Sequence, residues 1–248
     1  MITLYTFGPN FGLPDPSPFA MKTQVQLQMA GLAYAADHAG LGRAPKGKLP
    51  FIDDDGTVVA DSAFIRDYIE RTYAVDLDRG LDAGQRAQAW AVERMLEDHL
   101  YWVMIHTRWA IDENFAKGPA HFFDSLPAAS RDQVRAGARE RMLAALHGHG
   151  LGRHGPAEIG ALGRKTLDSL AAILGDQAYL FGDRPCGADA TALGFIASVL
   201  CPLFESPMRQ AAEANANLVA YRDRLMRRYY SEFIASEAIL DRELAGAF

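Results

Sequence analysis

The chain has 248 residues, 49% of them hydrophobic and 23% charged, enough to bury one large core or two modest ones. A net charge of −6 argues against nucleic acid or an anionic membrane as partner, and the two cysteines, Cys186 and Cys201, exclude a disulfide framework. No apolar run reaches the roughly 20 residues that span a bilayer and no signal-peptide pattern opens the chain, so a soluble protein of a reducing cytoplasm is expected, without membrane insertion.

In chain order, residues 2–7 read as a strand. The Gly- and Pro-rich stretch 8–16 is a loop. Ser17 followed by Pro18 is a helix cap and a first helical position, opening a helix through Ala30 that Gly31 closes. Residues 32–36 predict a second strand, parallel to the first because a helical crossover joins them, and 37–45 hold at most a short turn. Asp53-Asp54-Asp55-Gly56, between Phe51-Ile52 and Val58-Val59, predicts a β-hairpin over 49–59, and a helix follows over 62–73.

The segment Lys46-Gly47-Lys48-Leu49-Pro50 leads into that hairpin. Proline cannot donate to a ladder, so it belongs at a first strand residue or an edge, leaving its neighbour's backbone free for an extended ligand. The hairpin returns Asp61-Ser62 to the same end, where the next helix starts with free amides and a positive dipole end. A free strand edge beside an anion site describes a receptor for a short acidic peptide.

Beyond Ala74 the pattern is helical, after a linker at 76–85 that includes Asp76-Leu77-Asp78-Arg79-Gly80. Helices are expected over 83–113, 128–146, 156–174, 187–200, 206–212 and 216–228. The breaks fall at Gly118-Pro119, Gly148-His149-Gly150, Gly182-Asp183-Arg184-Pro185 and Pro202. The fold class is therefore α+β over 1–75 followed by an all-α region over 86–248.

These motifs, in this order over essentially the whole chain, resemble the glutathione S-transferase superfamily. The likeness rests on Lys48-Leu49-Pro50, on Asp61-Ser62, and on Gly182-Asp183-Arg184-Pro185-Cys186-Gly187-Ala188-Asp189, in which Cys186 takes the helix-cap position and Asp189 the third residue. Ser17-Pro18-Phe19-Ala20-Met21-Lys22 and His149-Gly150-Leu151-Gly152-Arg153-His154 are similar to its metaxin-like branch called failed axon connections. The resemblance implies a thioredoxin-like domain followed by a helical bundle, a homodimer, and glutathione as co-substrate with no metal.

It further implies roles. The backbone of Leu49 would pair with the cysteinyl unit of glutathione, with Pro50 cis. Ser62 would take the γ-glutamyl carboxylate, Asp61 the ammonium, and Lys48 the glycyl carboxylate. Ser17 at a helix start would hold the thiol as thiolate, with Asn10 or Tyr5 as alternatives; Tyr5, inside a strand, reads as core. Phe19, Tyr101, Ile105 and Arg108 would line the pocket for a small electrophile, Arg108 meeting an anionic acceptor. At helical spacing Tyr101, Ile105 and Arg108 share one face, and Trp102, His106 and Trp109 the adjacent one, where two tryptophans read first as core or a helix interface. The function implied is a glutathione transferase; the alternative is a non-catalytic member that binds glutathione or a protein. His147, His149 and His154 lack a carboxylate or thiol at metal-site spacing and read as loop residues. Cys186 and Cys201 read as buried thiols.

Overall fold

The computed structural model of the chain describes residues 1–237; the end of the expected helical region, 238–248, lies outside the described residues. Strands β1 (Ile2–Tyr5), β2 (Tyr34–Asp37), β3 (Phe51–Asp54) and β4 (Thr57–Ala60) form one sheet in the order β2-β1-β3-β4. β1 pairs parallel with β2, Ile2 opposite Tyr34, and antiparallel with β3, Leu4 opposite Ile52; β3 and β4 are the expected hairpin, Phe51 opposite Ala60. β1 is shorter than 2–7, because the amides of Phe7 and Gly8 turn to the Asp15 carboxylate instead of a strand. β2 begins two residues later than expected, after Leu32 N–H has closed the preceding helix on the Leu27 carbonyl.

That helix, α1 (Pro18–Met29), is buried from Pro18 to Leu27 apart from the half-buried Phe19. Leu27 packs with Ile2, Leu4, Ile52 and with Ile65 and Ile69 of α2 (Ser62–Thr72), a cluster in which each side chain contributes about 1.5–3 kcal/mol by leaving water. Met21 and Val25 instead join the large helical core. α1 is thus sandwiched between the sheet and α8 (Gly187–Val199), which is buried throughout. At Gly194 of α8, a Cβ would collide with the Pro18 carbonyl, so the close approach of the two helices depends on that glycine.

The helical region contains α3 (Ala83–Arg94), α4 (Tyr101–Ile105), α5 (Asp112–Lys117), α6 (Ala128–His149), α7 (Pro156–Leu174), α8, α9 (Pro207–Ala214) and α10 (Ala216–Tyr229). The expected helix over 83–113 is one long rod, but π segments at Met95–Leu100 and His106–Ala110 interrupt its α pattern. α6 runs three residues beyond expectation, to Gly150 at φ 102°. At the start of α8 the Asp189 carboxylate accepts from the amides of Cys186 and Leu180 and from the Tyr221 hydroxyl, so the acid holds the turn where Cys186 stands at the cap.

Asp78, within the expected linker, is buried; its carboxylate accepts from Arg66 at 2.6 Å and from the Gly187 amide at 3.0 Å. Arg66 also meets Glu93, whose other oxygen meets the fully buried Lys22; Lys22 in turn reaches Glu97 at 2.7 Å. A chain of charges from α1, α2, the linker and the long rod therefore locks the sheet region onto the helices.

Candidate active site

The loop between β1 and α1 is built around one carboxylate. Asp15, fully buried, accepts from the amides of Phe7 and Gly8 at 3.0 Å through Oδ2 and from the amide of Ser17 at 2.9 Å through Oδ1. Burial pushes its pKa up to about 7, against the pull of the amides. Within the loop, Asn10 and Leu13 bond to each other across Phe11 (φ 60°) and Gly12 (φ 66°), a tight two-residue turn with both central residues left-handed. Left-handed backbone is costly for a ring-bearing residue, and here it directs Phe11 toward the helices. Ser17 then caps α1: its backbone is extended and its Oγ accepts from the Ala20 amide at 3.4 Å.

Leu49 and Pro50, joined by a cis peptide bond, enter β3; the Pro50 carbonyl accepts from the Asp61 amide, while the Leu49 amide and carbonyl have no partner among the described residues. Asp61 caps α2 with φ 88°, another left-handed non-glycine residue; Oδ1 accepts from the Ala63 amide and Oδ2 from Lys48 Nζ at 2.9 Å. Burial raises the Asp61 carboxyl, and Lys48 with the Ala63 amide more than offset it, leaving the pKa below its ordinary value. Ser62 is buried at the first position of α2, its amide and hydroxyl unpartnered among the described residues. The two residues expected to serve opposite ends of a ligand, Lys48 and Asp61, pair with each other here.

The third wall is the long rod. An i→i+5 segment shifts the helical register, and such segments recur at functional sites. Glu97, Asp98, Tyr101, Trp102, Ile105, Arg108 and Trp109, which span an arc of about 140° at 3.6 residues per turn, all face one cleft, and His106 does not.

This cleft, about 560 Å³, collects Ser17, Phe19, Lys48, Leu49, Pro50, Asp61, Ser62, Tyr101, Ile105 and Arg108. Asn10 is exposed and outside the lining, and Tyr5 stacks on Phe51 at 4.1 Å within the sheet. Residues that the sequence did not assign to the pocket also line it, Trp109 among them, which read as core. Phe11, Trp109 and Phe122 form an aromatic end, their rings 5.3–6.5 Å apart, and Arg94 with Glu97 and Asp98 forms a charged one. Phe11 carried a faint signal, an aromatic followed by glycine in a turn-rich loop; Phe122 carried none.

Among the described residues, no group of three or more His, Cys, Asp or Glu side chains is placed to hold a metal ion, and no helix is long and apolar enough to cross a membrane. His149 stacks on Trp102 at 4.7 Å, His154 lies 3.7 Å from Glu158, and His147 is exposed. Cys186 and Cys201 are free and buried.

Residues 18–115 match the sequence model of the glutathione S-transferase N-terminal domain, and residues 163–225 that of its C-terminal domain. The isoprene-epoxide–glutathione S-transferase of Rhodococcus sp. (strain AD45) is 32% identical over 92% of this chain and 99% of its own. Failed axon connections of Drosophila melanogaster is 31% identical over 91% of this chain and 57% of its own length. Among solved structures, a glutathione S-transferase of Methylobacterium radiotolerans in complex with glutathione sulfonate superimposes with a TM-score of 0.58 over 93% of each chain at 20% identity, which shows the shared fold.

Proposed function

We propose, from the premise that this chain belongs to the glutathione S-transferase family in its metaxin-like branch, that it binds glutathione and delivers its thiol to a small electrophile. The observation that carries the reading is that one cleft joins Ser17, the free backbone of Leu49 and the Asp61-Ser62 helix start to an aromatic wall. An extended tripeptide laid along Leu49 would pair its cysteinyl unit with that amide and carbonyl. Its γ-glutamyl carboxylate would meet the Ser62 amide and hydroxyl at the helix start, with the Asp61 carboxylate beside its ammonium. Lys48 would turn from Asp61 toward the glycyl carboxylate.

The sulfur would then lie near Ser17. A thiol of pKa about 8.5 is mostly protonated at neutral pH, and the thiolate is the nucleophile. The Ser17 hydroxyl can donate to sulfur while its lone pair accepts from Ala20, and the start of α1 adds its dipole. The electrophile would lie against Phe19, Tyr101 and Ile105. The Rhodococcus relative is named for such a compound, an epoxide. A cytoplasmic homodimer is the setting we take for it; the exposed rings of Phe64 and Trp90, each 57% accessible, offer apolar surface for a second copy.

The test is titration calorimetry with reduced glutathione on the native chain and on Asp61→Ala and Ser62→Ala. Saturable binding that both substitutions weaken supports the site, and turnover of 1-chloro-2,4-dinitrobenzene supports the transferase. Binding without turnover of any electrophile favours the non-catalytic glutathione-binding alternative. No binding at millimolar glutathione sinks both and leaves a protein-binding scaffold.

A further inference from the structure

Arg108 leaves the second π segment and is only 5% exposed, yet it lines the cleft. Its Nη1 donates to the Pro16 carbonyl at 2.8 Å and its Nη2 to the Ser198 carbonyl at 3.2 Å. A guanidinium has five N–H donors, so these two bonds leave most of its capacity unused, and its Nε is buried without a partner. No carboxylate among the described residues lies within ion-pair distance of it; the faces of Phe11 and Phe204 lie 5.7 and 4.9 Å from its central carbon, and the Tyr101 and Cys201 side chains are also near. Arg66, also deeply placed, touches Glu70, Asp78 and Glu93.

A charge buried without a counter-charge is costly, by several kcal/mol even after relaxation. Burial pushes the Arg108 pKa down to about 10, so the group stays cationic at neutral pH. Clamping two carbonyls does not require a charge: Asn114, nearby on α5, bridges the Thr107 and Glu205 carbonyls with a neutral amide. The cation therefore calls for another explanation, and the cleft it borders supplies one.

We propose that Arg108 is an anion subsite at the aromatic end of the cleft, and that the electrophile is a flat, unsaturated or aromatic compound bearing a carboxylate. This rests on the transferase reading and names the acceptor class within it. The body of such a compound fits among Phe11, Trp109 and Phe122, and its carboxylate can accept from the N–H bonds that Nη1 and Nη2 leave unused. A more highly charged group such as phosphate is disfavoured, because Asp61, Glu97 and Asp98 border the same cleft.

Two pairs of probes test this on the full chain. Calorimetry without glutathione compares 4-nitrobenzoate with 4-nitrobenzamide. Turnover with glutathione compares 4-chloro-3-nitrobenzoate with its carboxamide, each normalised to its uncatalysed rate. In that substitution a carbon–sulfur bond forms, chloride leaves, and the thiol proton passes to solvent.

At least tenfold tighter binding of the benzoate, a matching preference in kcat/KM, and loss of both preferences in Arg108→Gln support the subsite. Thermal melting checks that the variant folds, and the preference within the native protein stands without it. Equal affinity for the native benzoate and benzamide overturns the proposal, as does turnover with no carboxylate preference, which leaves the transferase reading intact. A benzoate preference in a chain that fails to bind glutathione supports the subsite and refutes the transferase.

Discussion

Replacing Ser17 with alanine separates the two roles its hydroxyl can hold. As a cap, Oγ accepts from the Ala20 amide at 3.4 Å, a long bond, so its loss belongs at the low end of capping effects, about 0.5–1 kcal/mol. For a chain of this size that lowers Tm by about 1–4 °C. As a donor to the glutathione thiolate the same hydroxyl would make a charge-assisted bond, whose loss would remove about 1.5–3 kcal/mol. That corresponds to roughly 10- to 150-fold in kcat/KM and to a rise of about one to two units in the pKa of the bound thiol. The assay is a pH profile of kcat/KM with 1-chloro-2,4-dinitrobenzene, alongside ultraviolet titration of the bound thiolate and a thermal melt. Ser17→Thr keeps both roles and should stay near native in all three. Ser17→Asp keeps the cap but sets a negative charge beside the sulfur, so it should hold its Tm and lose turnover. An Ser17→Ala protein that melts lower yet keeps its kcat/KM within about threefold, with an unshifted thiol, would refute the catalytic role and leave a cap. The matching control is Asn10→Ala, expected to leave turnover unchanged because Asn10 lies outside the cleft.

Three further outcomes follow from the architecture. Asp15 has a raised folded-state pKa of about 7 against 3.8, so the native state holds its proton more tightly than the unfolded chain. Its stability contribution is therefore full below about pH 4 and lost as pH rises to about 7, by at most about 4 kcal/mol, and urea unfolding of Asp15→Asn should lack that slope. Lys22→Met leaves Glu93 and Glu97 buried beside Arg66 and Arg94 alone; a loss of about 3 kcal/mol is expected by urea unfolding, partly recovered when Glu93→Gln is added. Gly194→Ala presses a methyl onto the Pro18 carbonyl; it should cost about 1–3 kcal/mol and lower turnover as well, because α1 carries Ser17, and unchanged stability would show that the two helices have room to part.

What the sequence disclosed was local chemistry. The Asp-Gly turn, the Ser17-Pro18 start and the Gly31 stop each encode backbone geometry within a few residues, and each stands where it was expected. Leu49, Pro50, Asp61 and Ser62 were legible as a group because one short hairpin brings them together. Asp15, Lys22 and Glu93 were not. A charged residue within a helical stretch reads as solvated, and only the packing of α1 between the sheet and α8 turns Lys22 into a buried member of an ion network. Asp15 was hidden for a different reason: its partners are three backbone amides, which carry no sequence signal.

The rod's wall of the cleft follows from helical periodicity. At 3.6 residues per turn Tyr101, Ile105 and Arg108 form one stripe and Trp102 and Trp109 the stripe beside it, together spanning about 120°, with His106 beyond their edge. Both stripes reach the cleft, and His106 does not. Trp109 lies beside Phe122, which packs on Phe11, while Arg108 reaches across to the Pro16 carbonyl, one residue before Ser17. The contact makes the rod and the Ser17 loop a single mechanical unit, so a change in the rod's winding would move the capping hydroxyl and the aromatic wall together. An electrophile bound at the proposed anion subsite would meet the same arginine that holds the loop leading into Ser17.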